Sequence, residues 1–282
     1  MTNAASRIVS IGPLRCGGGQ PLVLIAGPCV IENREAALRH AEALRKLTDR
    51  LHIPFVYKSS YDKANRTSLD SFRGLGIDEG LAILAAVKKE TNVLLLTDVH
   101  NHEEVSLAAE VVDIVQIPAF LCRQTDLLFA AGKSGCVVNI KKGQFVAPWD
   151  MQHAAAKVAA TGNHRILLTE RGAMFGYNNL VSDFRSLPIL AQSGYPVVYD
   201  ATHSVQLPGG QGSSSGGQRE FIAPLARAAV AVGIDGLFME VHETPEYALS
   251  DKATVFPLAE LEPLLQLLGT LDAIVKEQPY HS

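Results

Sequence analysis

The chain has little of what marks the specialised protein classes. Its four cysteines, Cys16, Cys29, Cys122 and Cys136, are widely separated and form no CxxC pair. That argues against a disulfide framework and for free thiols in a reducing compartment, so the cytoplasm is the expected location. Charge of neither sign is in great excess: 25 basic against 29 acidic residues leave a net charge of -4. A general binder of nucleic acid or of a membrane surface would be strongly basic, so neither partner is expected. No apolar run is long enough to span a bilayer. The first twenty residues lack the basic-then-apolar layout of a secretory signal. No shift in composition sets off a second domain, and one domain over 1–282 is expected.

What the chain does have is a repeat. Short apolar runs, rich in β-branched residues, occupy 22–26, 55–58, 93–97, 114–116, 136–140, 166–169, 197–199 and 236–239. Amphipathic stretches with apolar residues three to four apart lie between them, for example 36–47, 77–88 and 221–232. Near-continuous apolar strands alternating with helices predict a parallel sheet covered on both faces. Eight such units in about 250 residues match a (β/α)8 TIM barrel, with an open doubly wound sheet as the alternative. Residues 1–20 precede the first strand and are expected to form a hairpin-like extension closing the bottom of the barrel. Residues 207–217 (LPGGQGSSSGG) form a long connection, read either as a plain surface loop or as a lid.

A barrel enzyme builds its site at the C-terminal ends of its strands. In this sequence those ends carry Cys29, Lys58, Asp98, Gln116, Lys141 with Lys142, Arg171, His203 and Glu240. Any one of these could be a solvated loop group. Eight polar ends on one face are better explained by a site. The cations Lys58, Lys63, Lys141 and Arg171, with Arg66 as a further candidate, would repel one another unless they met an anion. A phosphate together with a carboxylate would suit them. Cys29, His203, Glu240 and Asp251 offer mixed sulfur, nitrogen and oxygen donors, a set suited to one divalent ion such as Zn²⁺, Fe²⁺ or Mn²⁺. His100 and His102 read as loop or helix-start residues, Glu243 and Glu246 as a solvated helix face, and Trp149 as a packing residue.

Several longer motifs occur in order: AGPCVIE at 26–32, KSSYDKANRTS at 58–68, TDVH at 97–100, QIPAFLCRQTD at 116–126, NIKKGQF at 139–145, ERGAMFGYNNL at 170–180, DATH at 200–203 and GGQR at 216–219. Through them the chain, from about residue 23 to 268, resembles the 3-deoxy-D-manno-octulosonate-8-phosphate synthases, and within that family the metal-dependent class. The resemblance implies condensation of phosphoenolpyruvate with D-arabinose 5-phosphate and water, a homotetramer, and a place in making the inner sugar of lipopolysaccharide. It implies that Lys58, Lys63, Lys141 and Arg171 clamp phosphoenolpyruvate beside Gln116 and the backbone of Ala119. Asn65, Arg66 and Thr67 would grip the sugar phosphate, with Arg123 reaching it from a neighbouring subunit. Lys63, Asp98 and His203 would be catalytic, and Cys29, His203, Glu240 and Asp251 would hold the metal. One departure is visible: the 209–217 stretch holds three serines where the family leads one to expect a charged residue. Two rivals remain at this point. One is the sister reaction on erythrose 4-phosphate, whose enzymes carry Lys-Pro-Arg where this chain has Lys63-Ala-Asn-Arg66. The other is a non-catalytic barrel that binds a sugar phosphate as a regulator.

Overall fold

A computed structural model describes residues 6–66, 68–209 and 216–277. Thr67 of the expected sugar grip and positions 210–215 of the expected lid lie outside the described residues. Eight strands form the barrel: β1 (Val23–Gly27), β2 (Phe55–Lys58), β3 (Leu94–Asp98), β4 (Ile114–Ile117), β5 (Val137–Lys141), β6 (Ile166–Glu170), β7 (Val197–Asp200) and β8 (Gly236–His242). Each pairs in parallel with the next, and β8 pairs in parallel with β1, so the sheet closes on itself. The open-sheet alternative is thereby excluded. The intervening helices are α1 (Arg34–Leu51), α2 (Ile77–Thr91), α3 (His102–Ala109), α4 (Thr125–Lys133), α5 (Met151–Ala159), α6 (Ser186–Ala191) and α7 (Ile222–Val232), with α8 (Leu261–Glu277) following the last strand.

Strand alternation sorts the side chains. Leu24, Tyr57, Leu95, Val115, Val138, Leu168, Tyr199 and Leu237 face outward into the layer shared with the helices. The residues between them face inward, where Ile25, Val56, Leu96, Ile114, Val137, Leu167, Val198 and Phe238 make a second apolar cluster. Burying each large apolar side chain is worth about 1.5–3 kcal/mol. Two residues further along seven of the eight strands the same inward positions turn polar; on β1 that position is Gly27. Lys58 follows Val56, Asp98 follows Leu96, Gln116 follows Ile114, Asn139 follows Val137, Thr169 follows Leu167, Asp200 follows Val198 and Glu240 follows Phe238. Most strands therefore run one to three residues beyond the apolar stretches read from the sequence. The period of two carries the pleat on through a polar residue that a hydrophobicity count takes for the start of a loop.

The N-terminal extension is a hairpin, Val9–Ile11 paired antiparallel with Leu14–Cys16. Its Val9, Ile11 and Cys16 join the inner apolar cluster, so the hairpin plugs the end of the barrel from which the strands start. The helices are set by local chemistry. Asn33 caps α1, its side chain accepting from the Ala36 N–H at 2.8 Å, and Asn101 caps α3 by accepting from Glu103 and Glu104. One helical stripe of α1, including Ala37, Ala41 and Leu44, is buried; it also buries a histidine, His40.

Candidate active site

A cleft of about 450 Å³ opens where the strands end. Its lining includes Lys58, Lys63, Asn65, Arg66, Asp98, Gln116, Ala119, Lys141, Arg171, His203, Glu240 and Asp251. Of the substrate, catalytic and metal residues expected from the sequence, two described ones, Cys29 and Arg123, are not in that wall. Thr67 lies outside the described residues. Cys29 is buried beneath the wall, its Sγ 3.3 Å from Asp251 Oδ2. Arg123 is exposed, outside the cleft, on the segment that follows β4.

The charges form two buried knots. In the first, Lys58 Nζ donates to Glu240 Oε1 at 2.6 Å and to the Cys29 carbonyl at 3.0 Å, and Lys63 Nζ lies 3.5 Å from the same Glu240 oxygen. The local backbone makes this reach possible. Glu240 on β8 stands beside Gly27 on β1, and the next pair beyond Ala26 and Tyr57 on β1 and β2 brings Gly27 to the backbone of Lys58. A Cβ on Gly27 would meet the Lys58 carbonyl oxygen at 2.0 Å. In the second knot, Asp200 Oδ2 faces Lys141 Nζ at 2.5 Å and His203 Nδ1 at 2.8 Å, and Asp200 Oδ1 accepts the His203 N–H at 2.9 Å.

These surroundings move the protonation equilibria. Burial alone would raise the carboxyl pKa of Glu240, but the charges of Lys58, His203 and Lys63 hold it well below the usual carboxylate range. Asp98 is likewise held low against burial, by Lys63, His100 and Lys58. Lys141 and Arg171 behave differently: burial lowers both pKa values, and the nearby Asp200 does not make up the loss. Their charged forms are under-compensated, and the Arg171 charge lowers Lys141 further. Arg171 gives Nη2 to Gln206 Oε1 at 2.7 Å, while its buried Nη1 has no acceptor among the described residues. A bound anion would supply what both lack.

A metal would also fit. The donor atoms of Cys29, Glu240 and Asp251 all lie within 4.8 Å of one another. His203 stands beside them, its Nε2 3.7 Å from Glu240 Oε2 and 3.9 Å from Asp251 Oδ2. Glu240 Oε2 is buried and has no hydrogen-bond partner among the described residues. An orphaned carboxylate oxygen between a thiol and a second carboxylate is the donor arrangement a divalent cation satisfies. Burial, then the charges of Asp251 and Glu240, push the Cys29 thiol pKa far up.

Residues 5–277 match the family described as the DAHP synthetase I family. The chain belongs to that family. It is 63% identical over 268 residues, 95% of this chain and 98% of the relative, to the 2-dehydro-3-deoxyphosphooctonate aldolase of Trichlorobacter lovleyi. The proteins of that name from Geobacter metallireducens and Geobacter sulfurreducens are 62% and 60% identical over 96% of this chain and their whole length.

Sequence reasoning passed over some of the site. His100, read as a loop residue, lines the cleft: Nε2 is 3.4 Å from Asp98 Oδ2 and Nδ1 is 3.0 Å from Glu104 Oε2. The helix start falls on His102 alone. Asp200, which holds Lys141 and His203 together, was visible only as the first letter of DATH. Its place two residues after the inward Val198 was the signal that could have found it. Gln206 and Gln144 also line the cleft. Lys142, paired with Lys141 in the sequence reading, turns away to the Gly143 and Val146 carbonyls and toward Glu170. Glu243 and Glu246 are exposed, as expected, but on a loop and a short 3-10 turn instead of a helix, each 3.7 Å from an arginine, Arg39 and Arg219 respectively. Trp149 does not pack: it is 60% exposed.

Proposed function

We propose that this protein condenses phosphoenolpyruvate with D-arabinose 5-phosphate and water, giving 3-deoxy-D-manno-octulosonate 8-phosphate and inorganic phosphate on the route to the inner sugar of lipopolysaccharide. The observation that carries the reading is the under-compensated pair Lys141 and Arg171 in a cleft beside the Cys29, Glu240 and Asp251 donors. Such a cleft asks for an anion and a metal together. A regulator that merely held a sugar phosphate would have no use for both.

In this reading Arg171 and Lys141, with Lys58 and Lys63, hold the phosphate and carboxylate of phosphoenolpyruvate, beside Gln116 and the Ala119 backbone. Asn65, Arg66 and Thr67 grip the pentose phosphate, Arg66 presenting its planar fork to the phosphate. Asp98 accepts from a sugar hydroxyl. The vinyl carbon attacks the aldehyde, positive character develops at the carbon bearing the phosphate, and water adds there. The resulting hemiketal releases phosphate by C–O cleavage. No covalent enzyme intermediate is needed, and the protein contributes positioning and fixed charge in a poorly hydrated cavity. One divalent ion (Zn²⁺, Fe²⁺ or Mn²⁺) held by Cys29, His203, Glu240 and Asp251 would supply Lewis acidity toward the aldehyde or water. The reading includes a homotetramer with Arg123 acting across a subunit boundary, and a cytoplasmic setting that keeps Cys29 reduced.

Phosphate release measured with each aldose tests the reaction. Arabinose 5-phosphate should be used and erythrose 4-phosphate should not; the reverse assigns the chain to the sister reaction, and release with neither makes it a binder. Dipicolinate should abolish the activity and added Mn²⁺, Fe²⁺ or Zn²⁺ should restore it, whereas full activity in metal-free protein would remove the metal from the reading. Mixing Arg66→Ala and Arg123→Ala proteins should give hybrids more active than the mean of the two parents if Arg123 works in trans.

A further inference from the structure

The segment between β8 and α8 delivers Asp251 to the cleft, and it does so under strain. Asp251 sits at φ 51°, in the left-handed region that a residue with a side chain rarely occupies. Its carbonyl accepts the Thr254 and Val255 N–H groups of the same segment at 2.9 and 3.0 Å, and contacts from outside the segment add to that hold. Among the described residues, side chains from several places reach the segment: Arg219 donates to the Lys252 carbonyl, Arg66 Nη1 lies 3.5 Å from Asp251 Oδ1, and the stretch just after β1 and α1 hold the residues that lead up to Asp251.

Glu32 Oε1 accepts the Leu249 N–H at 2.9 Å, two residues before Asp251. The same oxygen is 3.5 Å from His242 Nε2. His242 Nδ1 accepts the Thr244 N–H at 2.9 Å, and His40 Nε2 accepts the Glu243 N–H at 3.2 Å. Both rings are buried, with centroids 4.8 Å apart. The beginning of the segment is thus pinned by the two histidines, and Leu249, near its middle, by Glu32. Glu32 also lies three residues after Cys29, in the same AGPCVIE stretch, so one short piece of chain carries a sulfur donor and the clamp on the partner that faces it. Cys29 Sγ itself is 2.8 Å from Ser250 Oγ.

We infer that Glu32, backed by His242, is a positioning residue that fixes Leu249 and thereby holds Asp251 against Cys29 and Glu240. The inference rests on the metal reading given above. Glu32 does not face the donor atoms; it acts through the backbone of the segment. A tether that merely stabilised the fold would lower the melting temperature and leave metal affinity untouched. A positioning tether changes affinity, and the loss of an outer support of a ligand costs about ten- to a hundredfold.

The test compares wild type, Glu32→Ala and Glu32→Gln after stripping with a chelator. Zn²⁺ is titrated back in competition with a chromophoric chelator, and amide hydrogen exchange across 243–251 is followed in the metal-free proteins. Glu32→Ala should bind Zn²⁺ about ten- to a hundredfold more weakly and exchange the Leu249 amide faster. Glu32→Gln should stay within about threefold of wild type, because both contacts fall on one oxygen and an amide keeps that acceptor. Wild-type affinity and unchanged Leu249 exchange in Glu32→Ala would overturn the inference. Equal losses in the alanine and glutamine variants would overturn it too, since a charge effect and not the tether would then be at work. If wild type itself takes up no Zn²⁺, the metal reading fails, and the exchange data still decide: faster Leu249 exchange in Glu32→Ala upholds the tether, and equal exchange removes it.

Discussion

The two ends of the barrel are made by the same eight strands and have opposite characters. At the base, Val9 and Ile11 of the hairpin meet Val23, Ile114 and Val137 in a closed apolar cluster. At the mouth, a few residues on, Lys58, Glu240, Lys141 and Asp200 are buried with almost no exposure. Burying ions costs free energy that their pairing only partly returns. The base therefore carries the stability, and the mouth spends some of it to keep charges dry and aimed. Mutations at the two ends should separate activity from stability, and three measurements probe that division.

The largest effect is expected from His203→Ala. It removes an imidazole that Asp200 orients and that stands beside Glu240 and Asp251. Loss of one such preorganised group typically lowers turnover by about 10²–10³, or about 2.7–4 kcal/mol. Thermal stability should change far less, because Asp200 keeps Lys141. Wild-type activity and metal content in this variant would break the contrast at the mouth. At the base, Ile11→Ala should do the opposite. Truncating a buried isoleucine costs about 2–5 kcal/mol, a fall in Tm of about 2–4 °C for each kcal/mol. Below the transition, kcat and both KM values should match wild type; a changed KM would mean that the plug communicates with the site.

The smallest effect is a slope. Burial alone would lower the His100 pKa, but its bond to Asp98 and the charges of Asp98 and Glu104 raise it above the ordinary value of 6.5. A raised pKa means that the folded protein binds this proton more tightly than the unfolded chain does. That contribution is complete below pH 6.5 and disappears as the pH rises through the folded value. His100→Gln should flatten the decline of Tm on the alkaline side of pH 6.5. A wild-type decline that persists unchanged in the variant would show that His100 is not its source.

The division between base and mouth also explains what could be read from the sequence. The eight strands were legible because their inner and outer residues are both apolar along most of their length. The mouth was legible where a charged residue directly ended an apolar run, as at Lys58, Asp98 and Glu240. It was not legible where the contact is made across the barrel. Nothing local marks Asp200 as the partner of Lys141, since β6 separates their strands. His100 looked like a turn residue because its role depends on Glu104, one helical turn further on, and on Asp98, two residues back. Arg123 is named by resemblance alone, and in this chain it is an exposed side chain with its carbonyl receiving Lys157.

Gly27 joins the two kinds of information. It is the empty seat between Glu240 and Lys58, and the only space its missing side chain could take belongs to the backbone of the next strand. In a library saturated across the cleft and the strand residues beneath it, variants of cleft residues outside the buried ion pairs, such as Asn65, would still accumulate as folded protein whatever their activity. Gly27 variants would be missing from the soluble fraction altogether, so an activity screen alone would score position 27 as chemical when its whole contribution is clearance.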